Sequence, residues 1–238
     1  MPYSGDLQAR RKNFYALGDV FLKIFITTGG LKPDARVLDI GCGPGRMAGP
    51  LTSYLDARGS YVGMDVVKGC IKGCRKRICT DAPNFSFEHM DVFNARYNRG
   101  GSVAASAHSF PFSNESFDFI FLTSVFTHML KDDCYHYIEE ISRLLAPVGT
   151  CLATFFLYDS QRLQQSRTHD KCLRFQFPEG DGVLIEKKAE PEYAVAYPRE
   201  SVLSHIRYCG LQVEEVLPGG WDGTVTENEY QDLVVCRK

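Results

Sequence analysis

The stretch Val37-Leu38-Asp39-Ile40-Gly41-Cys42-Gly43-Pro44-Gly45-Arg46 constrains the fold of this chain more than any other. A short apolar run of strand length meets a G-x-G-x-G loop, and Met47, Leu51, Tyr54 and Leu55 then repeat at helical spacing. Glycines at a strand-to-helix turn supply positive φ and let a ligand lie against the backbone. The start of the following helix offers N–H groups without intrahelical partners. The next strand-length run ends in Val62-Gly63-Met64-Asp65, placing a carboxylate 20 residues beyond Gly45. An acid at that point can accept hydrogen bonds from both hydroxyls of a ribose.

The alternation continues along the chain. Strands are expected at Arg36–Ile40, Tyr61–Met64, Phe85–His89, Phe117–Leu122 and Thr150–Leu157, several of them apolar nearly throughout, as strands buried on both faces should be. Ile138, Ile141, Leu144 and Leu145 mark a helix, with Asp132 or Asp133 as its N-cap and Pro147-Val148-Gly149 at its end. Strands alternating with amphipathic helices define an α/β, Rossmann-like, doubly wound sheet with helices on both faces. Residues 1–238 read as one domain. Residues 1–30 form a helical extension (Phe14, Leu17, Phe21, Ile24, Phe25) stopped by Gly29-Gly30. Residues 158–198 show no clear period, and a connection of that length is expected to cap an acceptor site. A helix around Val202, Leu203 and Ile206, then strands Leu211–Val216 and Asp232–Cys236, form an antiparallel finish at the sheet edge.

Composition narrows the partners. With 27 Lys+Arg against 29 Asp+Glu the formal charge is -2, which argues against a basic nucleic-acid-binding surface. No apolar run reaches the roughly 20 residues of a membrane span, and Met1–Lys12 is polar, unlike a secretion signal. Nine cysteines, an odd number, fit free thiols in a reducing cytoplasm better than a disulfide framework.

Two nucleotide readings compete at the glycine loop. A dinucleotide site requires G-x-G-x-x-G, and its third glycine would fall where Arg46 stands. Asp39, just before the loop, would gain nothing from a pyrophosphate but would pair with a cationic amino-acid moiety. This favours S-adenosylmethionine over a nicotinamide cofactor. Asp39-Ile40-Gly41-Cys42-Gly43-Pro44-Gly45 resembles motif I of the class I S-adenosylmethionine-dependent methyltransferases. Further matches come in order: Asp65, His89-Met90-Asp91-Val92, Phe117 to Ser124, and Leu144 to Thr150, where Val148 replaces a customary glycine. The resemblance implies a seven-stranded sheet, mostly parallel with the last strand antiparallel. It also implies a cofactor site built from Asp39, Gly41, Cys42, Gly43, Gly45, Asp65, Val66, Asp91, Val92 and Thr123.

The residues at the end of the fourth strand, Leu122-Thr123-Ser124-Val125, bear on the acceptor. They have neither the Pro-Pro-aromatic signature of base amino-methylation nor a Pro-Cys nucleophile, and no Asp ends the strand to seed a metal cluster. A metal-independent transfer to a hydroxyl of a small biosynthetic metabolite is therefore expected, an amine being the second choice. His128 is the candidate general base, with His169 a lesser one. Phe156, Tyr158 and Trp221 are candidate acceptor-binding residues, and the connection around Tyr97 a candidate wall. Cys70, Cys74 and Cys79 lack a histidine to complete a zinc set. Rival functions are an NAD(P)-dependent oxidoreductase and a non-catalytic S-adenosylmethionine-binding regulator.

Overall fold

The structure, a computed structural model, describes residues 7–169, 172–225 and 230–238, with side chains from residue 16 onward. Seven strands form the main sheet: β1 (Arg36–Ile40), β2 (Ser60–Asp65), β3 (Phe85–His89), β4 (Phe117–Leu122), β5 (Leu145–Phe155), β10 (Gln212–Leu217) and β11 (Asp232–Arg237). Their order is β10-β11-β5-β4-β1-β2-β3. β11 is antiparallel to both of its neighbours, while the β5-β4-β1-β2-β3 pairings are parallel.

Period-two alternation divides the core between the two faces. Leu38, Ile40, Ile120 and Leu122 pack with Ile138, Ile141 and Leu144 of α4 (Lys131–Leu144) and with Val202 and Ile206 of α6 (Arg199–Tyr208). On the other face Val37, Tyr61, Phe119 and Phe121 pack with α1 (Leu7–Thr27), α2 (Ala48–Tyr54) and α3 (Lys68–Arg77). Phe25 of α1 anchors that face, its ring 4.4 Å from Phe121 and 5.5 Å from Phe119. Phe14, expected on the inner side of α1, lies outside the described side chains.

Three local expectations change. Leu130, not an aspartate, occupies the N-cap position of α4. Asp132 and Asp133 sit in its first turn, where a carboxylate still favours the positive end of the helix. β5 begins directly after α4, so Pro147-Val148-Gly149 lies within the strand, and Val148 takes φ +60 there.

The third change is the largest. Residues 158–198 fold into α5 (Ser160–Ser166) and a second sheet of order β6-β9-β8-β7, with β6 (Leu157–Tyr158), β7 (Phe177–Pro178), β8 (Leu184–Ile185) and β9 (Val195–Pro198). Three of these strands are two residues long, too short to print an alternation in the sequence. Phe156, Phe175, Ala194, Ala196 and Trp221 form the apolar cluster beneath them.

Candidate active site

The site forms at the carboxyl ends of β1, β2 and β4, where ligands of open α/β sheets bind. After Ile40 the backbone turns through Gly41 (φ +84), Gly43 (φ +52) and Gly45 (φ +85). Gly41 and Cys42 N–H both donate to Met64 O at the end of β2, at 2.7 and 2.9 Å. The thiols of Cys42 and Cys74 point at Gly43 O from 3.7 and 3.5 Å. The turn occupies more residues than the sequence suggested, and α2 begins only at Ala48.

Asp65 closes the loop from the neighbouring strand. Its carboxylate accepts from Gly43 N–H and Val67 N–H, each at 2.7 Å. Burial raises its pKa, against the pull of those two donors. Two N–H bonds leave a carboxylate with acceptor capacity for further hydroxyls.

A cavity of about 670 Å³ opens beside this loop. Gly41, Cys42, Gly43, Asp65, Val66, Val92 and Thr123 all line it, and so does His128. A Cβ at Gly43 would meet nothing within 4 Å, so the backbone there is open to a ligand. These residues fit an adenosine-type cofactor: an exposed glycine backbone, a carboxylate for ribose hydroxyls, and apolar Val66 and Val92 for a flat base.

Three expected cofactor residues do not line the cavity. Asp39 leaves β1 on the face opposite Ile40, accepts from Tyr61 Oη at 2.6 Å, and is fully buried with Oδ1 unpartnered. Burial holds its carboxyl well above the ordinary value. Asp91 is exposed and accepts from Ser102 Oγ at 2.6 Å. Gly45 faces α3, where a Cβ would come within 3.0 Å of Cys74 Sγ.

The three acceptor-binding candidates lie away from the cavity. Trp221 and Phe156 are core residues of the cluster under the second sheet, and Tyr158 donates to Gly182 O. None of the three lines the cavity, nor does any described residue of 158–198. His169 is exposed and packs on Gly223, also away from the cavity. The polar wall comes instead from Asn94, Tyr97, Asp133, Tyr230 and Gln231. Only the Tyr97 connection carried a sequence signal. Leu17 and Phe21 bring α1 over the cavity as well.

At the end of β4, Ser124 has φ +59, a conformation few non-glycine residues adopt. Thr154 Oγ1 accepts from its N–H at 2.7 Å, and its hydroxyl donates to Gln231 Oε1 at 3.0 Å. Four residues on, His128 is seated by the 3₁₀ turn Phe126–His128. Its Nδ1 lies 3.0 Å from Glu192 O. A carbonyl only accepts, so Nδ1 carries the proton and Nε2 the lone pair. Burial pushes His128 below the usual histidine value, leaving the imidazole neutral near pH 7.

A doubly wound sheet thus brings a glycine loop, the Asp65 carboxylate and a neutral histidine to one cavity. Residues 38–153 match the family model of the methyltransferase domain. The fold recurs in an S-adenosylmethionine-dependent methyltransferase of Aquifex aeolicus, at 18% identity over 92% of this chain and 88% of that one, TM-score 0.56. It recurs in one from Methanosarcina mazei, at 19% identity over 90% and 96%, TM-score 0.56. A third, from Mesorhizobium loti, is 14% identical over 86% and 91%, TM-score 0.56. In the matched domain and in its fold the chain is thus similar to the S-adenosylmethionine-dependent methyltransferases.

Proposed function

We propose that the enzyme methylates a hydroxyl of a small acceptor, in preference to an amine and without a metal, with His128 as general base. One observation carries this reading: a neutral imidazole with its Nδ1 proton committed to a carbonyl lines the same cavity as the cofactor loop. S-adenosylmethionine, held at the glycine loop, would supply an electrophilic methyl group, its sulfur–methyl bond breaking to leave S-adenosylhomocysteine. His128 Nε2 takes the acceptor's hydroxyl proton as its oxygen bonds to the methyl carbon. Asn94, Tyr97, Tyr230 and Gln231 orient the acceptor by hydrogen bonds, and Leu17 and Phe21 keep water out. Asp65 holds the ribose.

The acceptor is a small molecule and not a nucleic acid. The formal charge of -2 supports that exclusion. Among the described residues no helix is long and apolar enough to cross a membrane. All nine cysteines are free, in keeping with a reducing cytoplasm. We read residues 158–198 as part of one domain, buttressing the acceptor pocket from behind.

Homocysteine release, coupled to hydrolysis of the S-adenosylhomocysteine product, tests the reading across sugars, phenols and polyketides. His128→Gln should bind S-adenosylhomocysteine like the wild type and lose about 10²-fold or more in turnover, the usual contribution of a general base. Undiminished turnover in that variant would remove His128 from the chemistry.

A further inference from the structure

Glu192 reaches the wall of the cavity twice without lining it. It sits in the 3₁₀ turn Pro191–Tyr193 and is only 8% exposed. Its main-chain oxygen is the partner of His128 Nδ1, and the Tyr193 carbonyl adds a weaker pull of the same sign. Its side chain points the other way, to the turn that carries Asn94 and Tyr97. Glu192 Oε2 accepts from Ala95 N–H at 2.5 Å, with Arg96 N–H contributing as well. No cation pairs with this carboxylate among the described residues, and burial raises its pKa.

A buried carboxylate with only backbone donors is costly, and a loop contact alone would not demand one. The surrounding bonds show what it holds. Asn94 Nδ2 donates to His128 O at 3.2 Å, and the Tyr97 ring stands edge-on to the imidazole at 5.5 Å. Arg96 pairs with Glu190 at 2.5 Å and lies 4.9 Å from the Tyr193 ring centroid. The imidazole, the 94–97 turn and the 191–193 turn therefore form one ring of contacts, and Glu192 closes it through both its backbone and its side chain.

We propose that Glu192 is the positioning residue of His128. By fixing its side chain to Ala95 and Arg96 it fixes its own carbonyl at Nδ1, which locks the imidazole in the Nδ1–H tautomer and leaves Nε2 as the proton acceptor. The catalytic meaning of this lock rests on His128 being the base; the lock itself does not, and it is measured separately.

The test is ¹⁵N–¹H correlation of the histidine rings in the full chain, the His128 signals being assigned by their loss in His128→Gln. In the wild type the pattern should be that of a neutral Nδ1–H ring. Glu192→Gln, which keeps an oxygen for Ala95 N–H, should retain it. Glu192→Ala should shift His128 towards the Nε2–H form favoured by free imidazole. Losing the hydrogen bond to the Glu192 carbonyl, which favours the protonated ring, should also move the His128 titration further below the ordinary value. Arg96 and Glu190, the charged groups facing the ring, remain in place in all three proteins. With an accepted substrate, Glu192→Ala should lower turnover roughly tenfold or more while S-adenosylhomocysteine affinity holds. A wild-type Nε2–H ring, or an unchanged tautomer and titration in Glu192→Ala, would overturn the proposal. If Glu192→Ala does not fold, the wild-type tautomer and its retention in Glu192→Gln still decide it. Loss of the base assignment would show instead as full turnover by His128→Gln.

Discussion

At Gly41 a Cβ would lie 2.3 Å from Val125 Cγ2, whereas at Gly43 it would meet nothing within 4 Å. The two positions share a positive φ and differ in what stands opposite, protein in one case and open cavity in the other. Substituting alanine should therefore separate folding from binding. Gly41→Ala combines backbone strain with a steric clash and should cost about 2–4 kcal/mol of stability. Gly43→Ala should cost only the strain, about 1 kcal/mol, and instead weaken S-adenosylhomocysteine binding tenfold or more, because the added methyl enters ligand space. Urea unfolding and isothermal titration on both variants decide this. Equal losses of stability with equal affinities would show that the cavity does not hold the cofactor against Gly43.

Among the elements, β11 joins the main sheet to the second one through a single side chain. Asp232 accepts from Leu157 N–H at 2.7 Å, Gly219 N–H at 2.8 Å, Trp221 Nε1 at 2.8 Å and Arg162 Nη1 at 2.5 Å. Arg162 of α5 also pairs with Asp222 at 2.6 Å and lies 4.7 Å from the Trp221 ring centroid. Tyr230 and Gln231, which line the cavity, immediately precede this anchor. Asp232→Ala leaves a part-buried guanidinium half-paired and the buried N–H donors of Leu157, Gly219 and Trp221 unmet, and should cost about 3–5 kcal/mol. Limited proteolysis should then cut within residues 158–198 before the main sheet opens. Resistance equal to the wild type would show that the apolar cluster around Phe175 holds the second sheet without the ion pair. The same contrast explains what the sequence made legible. Strands buried on both faces, such as Val37–Ile40 and Phe117–Leu122, announce themselves by composition alone, and the loop glycines by their spacing. The two-residue strands β7 and β8 have no period to read. Trp221 and Phe156 looked like acceptor aromatics because nothing local distinguishes a pocket lining from a core. Glu192 left no signal because its contact with His128 uses a main-chain oxygen that any residue possesses.

For the whole molecule, burial acts on histidines and carboxylates in opposite senses, and folding stability inherits both. His128 titrates below the ordinary histidine value in the folded chain. Between its folded pKa and about 6.5 the unfolded chain binds a proton that the folded chain refuses, so this contribution is complete above 6.5 and is lost as pH falls. Asp39 does the reverse, since burial raises it well above the ordinary carboxylate value. From about 3.8 upward to its folded pKa the folded chain keeps a proton that the unfolded chain releases, so stability drains away as pH rises. The two slopes partly cancel in the wild type, and differences between variants expose them. Relative to wild type, His128→Gln should gain stability as pH is lowered from 7.5 to 5.5. Asp39→Asn, which carries no titrating proton and leaves Tyr61 Oη an acceptor, should gain as pH is raised from 4.5 to 7.5. Each slope is bounded at about 1.4 kcal/mol per pH unit for one proton. Urea midpoints across that range measure both. Parallel curves for wild type and Asp39→Asn would mean that the Asp39 carboxyl is ionised in the folded enzyme, with a counter-charge at Oδ1 that the protein itself does not provide.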